Sequence, residues 1–368
     1  MDLSVYIHIP FCEKKCYYCD FSSFSGMEEY FETYTAALAQ EIHSCSELDG
    51  ANIITVFIGG GTPSVLPPKY VEKILLALNP FSIAKGAEIT IEANPNSLTR
   101  DKLRDYNSFG INRLSVGLQA YQSHLLDTLG RLHRAEDFLC CIDSAFSAGF
   151  SNISADLIFA IPGQSLTDWE ESLKAVIRAG LPHVSCYGLA IEENTPFYEK
   201  YKPVDEDLDR RMYYRAVELL NSCGYCPYEI SNFAKDGFDS RHNSVYWERG
   251  NYLGFGLSAH SLYNNVRFEN TGDLSEYMNS IDEKKRRKNI IKLTHKESME
   301  EFMFLGLRMT KGVSAERFLR EFGADLYEVY GGVIRKHVGN KLLDICEDKI
   351  RLTPKGVDLS NFVLSEFL

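Results

Sequence analysis

The sequence predicts an α/β protein, with a partial (β/α)6 TIM-like barrel followed by a smaller α+β, winged-helix-like module. Short runs rich in Val, Ile and Phe alternate with helix-length segments at steps of about 30 residues, which is the pattern of βαβ units in a parallel sheet. Glycine and polar residues gather where these runs end. About six such units favour a partial barrel over a complete eight-fold one.

The alternation predicts six strands with five helices between them. The predicted strands are Val5–Ile9, Ile53–Ile58, Glu88–Glu92, Arg113–Gly117, Ile153–Phe159 and His183–Leu189. The predicted helices are Glu29–Ser44, Pro67–Leu78, Thr99–Phe109, Glu136–Ala148 and Thr167–Ala179. Later segments predict helices over Asp205–Asn221, Glu297–Arg308 and Ala315–Phe322 and a short strand near Ile350.

Three regions follow from this pattern. We predict a barrel core over residues 1–235, a connecting segment over 236–290 and a C-terminal module over 291–368. The boundary is placed at a basic run from Lys284 to Lys288, which follows Asp282 and Glu283. Such a short run with acidic neighbours is typical of a solvated connector.

Charge and composition exclude several classes of function. The 368 residues include 39 basic and 51 acidic side chains, and a net charge of −12 argues against nucleic acid as a partner. No apolar run approaches the roughly 20 residues that span a bilayer, and no secretory signal is visible. We therefore expect a cytoplasmic protein, in which clustered cysteines bind metal or do redox work.

Cys12, Cys16 and Cys19 form a C-x-x-x-C-x-x-C motif just after the first predicted strand. A four-iron cluster takes four ligands, so three cysteines leave one iron open for a small molecule. A zinc site would need a fourth ligand, and His8 is available but lies within a predicted strand. The remaining alternative is three buried thiols. The other seven cysteines, including the Cys223–Cys226 pair, have no such pattern and are interpreted as incidental.

A glycine run, Gly59-Gly60-Gly61-Thr62-Pro63, follows the second predicted strand. It matches neither the G-x-G-x-x-G dinucleotide pattern nor a phosphate loop, because no Gly-Lys-Ser/Thr follows. Glycine permits close approach of backbone to a ligand. Because the carboxyl ends of parallel barrel strands meet on one face, this run and the cysteines are expected at one site.

The cysteine spacing and the glycine run together resemble the radical S-adenosylmethionine superfamily. Further motifs resemble its oxygen-independent coproporphyrinogen III oxidase-like family: Tyr-Ile-His-Ile-Pro-Phe-Cys, Ile-Glu-Ala-Asn-Pro, Leu-Ser-Val-Gly-Leu-Gln and Asp-Leu-Ile-Phe-Ala-Ile-Pro-Gly-Gln. The resemblance extends from Tyr6 to about Leu262 and continues weakly through the C-terminal module. Several motifs in the same order make it specific.

This resemblance implies a 4Fe-4S cluster on the three cysteines and S-adenosylmethionine on the open iron. Arg131 would bind the methionyl carboxylate as a bidentate fork, Glu92 the ammonium, and Gln119 and Asp156 the ribose hydroxyls. The implied pocket residues are Tyr6, Tyr18, Gly60, Gly61, Thr62, Glu92, Gln119, Arg131, Asp156 and Ala190. Taken singly, each polar residue would read as an ordinary surface or capping group.

Two departures from the decarboxylating oxidase point to the haem chaperone (HemW-type) branch of this family. Phe21 stands where the oxidase has a fourth cysteine, and the motif tyrosine is residue 6 rather than following a long extension. The branch carries an H-N-x-x-Y-W motif, found here from His242 to Trp247. Imidazole is a common haem ligand, and aromatic rings offer flat contacts. The haem candidates are His242, Tyr246, Trp247 and, ranked lower, His260. The alternative is that His242 is a capped loop histidine and that Trp247 only packs in the core.

The resemblance therefore implies a haem chaperone that delivers haem to acceptor haemoproteins. The alternative is an oxygen-independent coproporphyrinogen III oxidase that makes protoporphyrinogen IX, and a third interpretation is a regulatory cluster protein without a haem role. Whether the chain is an enzyme stays open. The resemblance also implies an electron donor to the cluster and leaves room for a homodimer and for peripheral association with a membrane.

Overall fold

The computed structural model describes residues 1–280 and 283–368, without the side chains of residues 283 and 284. Within these ranges the chain forms one twelve-stranded mixed sheet, a three-stranded sheet and a two-stranded ladder. Of the two acidic residues that precede the basic run, Asp282 lies outside the described residues. No helix in the described ranges is both long enough and apolar enough to cross a bilayer.

The strands and helices run in the following order along the described chain. The strands are β1 (Asp2–Ile9), β2 (Phe11–Cys12), β3 (Phe24–Ser25), β4 (Asn52–Gly60), β5 (Ser82–Ala93), β6 (Arg113–Gln119), β7 (Asn152–Phe159), β8 (His183–Gly188), β9 (Cys226–Pro227), β10 (Asn232–Ala234), β11 (Tyr252–Phe255), β12 (His260–Tyr263), β13 (Val266–Asn270), β14 (Arg287–Lys292), β15 (Val313–Ser314), β16 (Leu343–Cys346) and β17 (Lys349–Leu352). The helices are α1 (Phe31–His43), α2 (Pro68–Ala77), α3 (Arg100–Ser108), α4 (Ser123–Leu129), α5 (Ala135–Ser147), α6 (Leu166–Arg178), α7 (Pro196–Lys200), α8 (Glu206–Ser222), α9 (Arg241–Trp247), α10 (Leu274–Asn279), α11 (Glu283–Arg286), α12 (His295–Gly306), α13 (Ala315–Phe322), α14 (Leu326–Gly339), α15 (Pro354–Asp358) and α16 (Ser360–Ser365).

The barrel consists of β1, β4, β5, β6, β7 and β8, which lie side by side in this order and pair in parallel. The predicted partial (β/α)6 barrel is confirmed. A seventh parallel strand, β11, pairs with the outer edge of β1, and β10 pairs antiparallel with β8. Since β8 and β11 each have another neighbour, the barrel stays open between them.

Alternation along each strand separates an apolar outer face from a polar interior. On β1, the fully buried Leu3, Val5 and Ile7 pack in the main hydrophobic core against the helices, whereas Ser4 and Tyr6 have the opposite parity and face inward. The other barrel strands repeat this division. The barrel interior is consequently lined by hydroxyl, carboxylate and imidazole groups, which is unusual for a space that serves packing alone.

The stretch 236–290 adds structure to the core. It holds α9 and strands β11 to β13, and β14 continues the same sheet. The interpretation of the basic run as a solvated connector is wrong at Arg286, whose Nε lies 3.1 Å from Glu41 Oε1 with side chains 7% and 6% exposed. Glu41 also accepts hydrogen bonds from Tyr277 and Asn270, so this buried carboxylate draws the arginine inward.

The C-terminal module is an α+β unit with its own core, as predicted. Helices α12 to α14 pack around the antiparallel sheet β15-β17-β16, and Met303, Phe318, Ile334 and Ile350 are buried between them. The module contacts the core through Arg249, whose Nε lies 3.1 Å from Glu301 Oε2. This arrangement matches a winged-helix-like module on the barrel's flank.

Candidate functional site

One cavity of about 550 Å³ opens among the carboxyl ends of the barrel strands and extends into the interior. This size lies in the range of small-molecule sites. Every residue assigned by resemblance to the cluster or to S-adenosylmethionine lines it: Cys12, Cys16, Cys19, Tyr6, Tyr18, Gly60, Gly61, Thr62, Glu92, Gln119, Arg131, Asp156 and Ala190. The fold thus brings together side chains up to 184 positions apart in the sequence.

The three cysteines lie in the loop that leaves β1. Thr62 Oγ1 lies 3.6 Å from Cys12 Sγ, and Arg131 Nη1 lies 3.5 Å from Cys16 Sγ, so both can donate to a thiolate. Burial raises the pKa of Cys12 and of Cys19, and negative charge on the neighbouring thiols adds to this effect. Metal binding would offset that cost, because the metal binds the deprotonated form.

The donor set fits a cluster better than a single ion. In the described part of the chain no three His, Cys, Asp or Glu side chains gather around one metal position. His8, the fourth zinc ligand considered, has both ring nitrogens in hydrogen bonds, with Tyr6 Oη at 3.0 Å and Ser22 O at 2.9 Å. Three thiols on the wall of a cavity match a four-iron cluster with one open iron.

The glycine run packs directly against this loop. A Cβ on Gly61 would lie 2.7 Å from Phe11 O and 3.0 Å from Cys12 Sγ, and Gly60 has φ +113°. The Gly60 N–H donates to Glu92 Oε2 at 3.0 Å. Only residues without a side chain permit this approach, so the run positions both the cysteine loop and the carboxylate.

Arg131 is held between two strand ends. Its Nη2 lies 2.5 Å from Asn94 Oδ1 and 3.1 Å from Gly117 O, in addition to the contact of Nη1 with Cys16. These bonds fix the guanidinium beside the cysteine loop. They also use part of the fork that was expected to bind a carboxylate.

Two buried carboxyl groups, Glu92 and Asp156, face the interior. Burial, with a contribution from the charge of Asp156, raises the pKa of Glu92 to about 8. Burial also raises the pKa of Asp156, which accepts a hydrogen bond from Ser115 Oγ at 2.9 Å. A ligand bearing an ammonium group or hydroxyl donors would stabilise the ionised forms.

Gln119 occupies a strained position at the end of β6. Its φ is +66°, and the register between β6 and β7 shifts between Gly117 and Gln119. Non-glycine residues in the left-handed region are uncommon and cluster at functional sites. The irregularity turns this side chain toward the cavity, which its sequence motif alone did not reveal.

Two of the four haem candidates, His242 and Tyr246, line the cavity, and both form its floor. His242 Nδ1 lies 2.7 Å from Thr55 Oγ1, and its Nε2 lies 2.7 Å from Tyr246 Oη. The His242 ring also stacks on Phe57 with centroids 5.1 Å apart. With both nitrogens hydrogen-bonded, the imidazole presents no lone pair to a metal in this conformation.

Trp247 and His260 are not at the cavity. Trp247 points from α9 toward the C-terminal module, where Arg308 stacks 4.4 Å above its ring and Tyr228 and Met309 pack nearby. The His260 side chain is 69% exposed, with Nε2 3.0 Å from Glu269 Oε2 across the β12–β13 hairpin. His242 and Trp247 are five positions apart on α9, so they lie about 140° apart around the helix axis and face different surroundings.

Several cavity residues were not predicted. Asn94 lies within the Ile-Glu-Ala-Asn-Pro motif, so its position next to Glu92 at a strand end could have identified it. Arg113 is the first residue of β6, whose residues are all buried. A charged residue in such a strand could have indicated a functional position. At the mouth, Phe21 and Tyr187 expose 60% and 40% of their surfaces. Phe21 offers an apolar ring where a fourth thiol was considered.

Comparison with known proteins identifies the family of the chain. A family model described as the radical SAM superfamily matches residues 6–176, and one described as the HemN C-terminal domain matches residues 293–359. Proteins named heme chaperone HemW are similar over most of the chain. The Bacillus subtilis protein is 36% identical, covering 99% of this chain and 99% of its own length, and the Lactococcus lactis protein is 34% identical over 99% and 97%.

A similar fold occurs in a solved structure, that of coproporphyrinogen III oxidase (HemN) from Escherichia coli, which is described as a radical SAM enzyme. It superposes with a TM-score of 0.87 at 23% identity, covering 99% of this chain and 89% of the oxidase chain. This likeness concerns the fold alone. The similarity to the HemW proteins shows that the chain belongs to the radical S-adenosylmethionine superfamily and to its oxygen-independent coproporphyrinogen III oxidase-like family. Within that family it belongs to the haem chaperone (HemW-type) branch.

Proposed function

We propose that this protein binds a 4Fe-4S cluster, S-adenosylmethionine and haem in and around the barrel cavity and delivers haem to acceptor haemoproteins. The observation that supports this most is the convergence of all thirteen residues assigned to cluster and cofactor on one cavity. The haem role draws on the relatives named heme chaperone HemW. The superfamily itself implies the cluster and S-adenosylmethionine.

Cys12, Cys16 and Cys19 would hold the cluster, and the cluster would supply one-electron chemistry when an electron donor reduces it. Arg131 and Thr62 orient the thiolates through the contacts described above. Glu92 can accept from an ammonium group, and Asp156 from ribose hydroxyls. The residues of this chain thereby orient the cofactor, and the deep walls exclude water from it.

We place haem between the mouth and the floor of the same cavity. Phe21 and Tyr187 expose flat rings at the mouth, which suits contact with a macrocycle. His242 and Tyr246 form the floor, and their mutual hydrogen bond supports a wall role over iron ligation. We propose a cytoplasmic protein on the basis of its relatives' branch; a homodimer and peripheral membrane contact are compatible with it.

The test is an anaerobic titration with haem, followed by absorbance, on protein with a reconstituted cluster. We expect saturable binding, weakened by Phe21→Ala. The matched control is Phe146→Ala, which removes a ring that is 39% exposed on the outside of α5. Absence of saturable binding to the wild type would end the chaperone proposal.

The same preparation tests the oxidase alternative. Coproporphyrinogen III, S-adenosylmethionine and a reductant are incubated anaerobically with the protein, and tetrapyrrole products are separated by chromatography. We expect no catalytic accumulation of protoporphyrinogen IX, because no fourth cysteine follows Cys19 in the motif loop. Repeated turnover would reverse the assignment.

A further inference from the structure

The floor of the cavity contains a buried guanidinium without a partner. Arg113 is 2% exposed and lines the cavity, yet its Nε has no hydrogen-bond partner. Among the described residues its side chain also takes part in no hydrogen bond or ion pair. An unpaired buried charge is costly, and buried polar groups are nearly always satisfied. The site is therefore incomplete without a ligand or ordered solvent.

A second unpaired polar atom lies beside it. Thr90 on β5 is the register partner of Arg113 on β6, it is fully buried, and its Oγ1 has no hydrogen-bond partner. Thr90 also has the same strand parity as Glu92, which faces the cavity. The register thus places the Thr90 hydroxyl, a donor, on the same face of the sheet as the Arg113 guanidinium, which supplies a fork of N–H donors. This donor set matches a carboxylate.

This position is distinct from Arg131. Arg131 donates to Gly117 O, which lies four positions from Arg113 along β6, or about 13 Å along the strand. Arg131 lies at the far end, beside the cysteine loop. A carboxylate that chelates the open iron of a cluster there cannot reach the floor at the same time.

The other titratable groups around Arg113 do not neutralise its charge. Glu92, Asp156, His183 and His242 all feel its charge. None of them forms an ion pair with it among the described residues. Burial keeps the pKa of Glu92 near 8, so this neighbour is mostly uncharged at neutral pH and repels an incoming anion little.

We infer that Arg113 and Thr90 form a carboxylate-binding position on the cavity floor, and that a propionate of the tetrapyrrole cargo occupies it. This inference rests on the proposed function. It explains how the chain would distinguish haem from a macrocycle that lacks free propionate carboxylates. The propionate accepts from the guanidinium and the threonine hydroxyl, and the apolar part of the ring faces the mouth.

The test compares haem with its dimethyl ester, which lacks both carboxylates, on wild type and on Arg113→Met. Wild type should bind haem roughly 10- to 100-fold more tightly than the ester, the range for a hydrogen bond to a charged group. In Arg113→Met this preference should collapse to about onefold. Arg113→Lys, which keeps the charge and loses the fork, should fall between them. Arg104→Met is the matched control, because that side chain is 72% exposed on α3.

Each outcome has a defined meaning. Equal affinity of the wild type for haem and ester, or a preference that survives Arg113→Met, overturns the inference while the chaperone proposal stands. A loss of S-adenosylmethionine affinity in Arg113→Met with unchanged haem preference assigns the position to the cofactor and also overturns it. No haem binding to the wild type removes the proposed function and this inference together. Iron content and melting temperature verify that each variant is folded.

Discussion

Gly61→Ala should impair cluster assembly although it replaces none of the three cysteine ligands. The added methyl group would lie 2.7 Å from Phe11 O, 3.0 Å from Cys12 Sγ and 3.1 Å from Ile9 O. Two of these atoms belong to backbone, so they cannot swing aside as a long side chain can. Ordinary carbon–oxygen contacts begin near 3.3 Å, so the loop has to retreat by about 0.6 Å.

That displacement is large compared with what a metal site tolerates. Metal–ligand distances are held within about 0.2 Å, and overpacking costs about 1–3 kcal/mol. We expect Gly61→Ala to retain less than half of the wild-type iron and sulfide after anaerobic reconstitution, and to unfold at a lower temperature. Iron and sulfide per chain, with thermal melts of the apo protein, are the measurements.

Gly332→Ala is the matched control. A Cβ there meets nothing within 4 Å and the residue lies inside α14, so alanine should stabilise the helix by about 0.5–1 kcal/mol and leave iron loading unchanged. Wild-type iron content in Gly61→Ala would refute the argument that the glycine run shapes the cysteine loop.

Three further predictions concern charge and packing. Because burial and Asp156 raise the pKa of Glu92 from 4.5 to about 8, the folded state binds more protons than the unfolded state between these values. Its free energy of unfolding should therefore fall by about 1 kcal/mol per pH unit there, and Glu92→Gln should flatten the slope in ligand-free melts; an unchanged slope would contradict this. Glu41→Leu leaves Arg286 buried and unpaired, which should cost about 3–5 kcal/mol in denaturant unfolding, and a loss below 1 kcal/mol would argue against the pair. Trp247→Ala should lower the free energy of unfolding by about 2 kcal/mol, since a half-buried ring costs less than a fully buried one, while haem affinity stays within twofold; a large loss of haem affinity would return Trp247 to the site.

Local pattern was sufficient to predict the barrel. Short runs rich in Val, Ile and Phe, with glycine and polar residues at their ends, identified all six core strands, although β5 extends to Ser82 and β1 to Asp2, several residues beyond their predicted starts. The assigned cluster and cofactor residues met at one cavity because parallel strands end on one face. Helices α4 and α7 were missed, since each has at most seven residues and no long apolar period.

Contacts between distant parts of the chain could not be predicted from pattern. The N–H groups of Arg241 and His242 donate to Glu88, 3.1 and 3.0 Å away but more than 150 positions earlier in the sequence. This long-range cap places α9 inside the barrel and thereby separates His242 from Trp247. Arg286 was misread for the same reason, because its partner Glu41 lies in the first helix.

The unclosed seam between β8 and β11 has a consequence for how such a protein diversifies. In a sealed barrel the bore is fixed by strand number and stagger. Here α9 supplies two residues of the chamber floor, His242 and Tyr246, from outside the six barrel strands. Exchanging one of these two side chains therefore alters the depth of the chamber while every strand ladder stays intact.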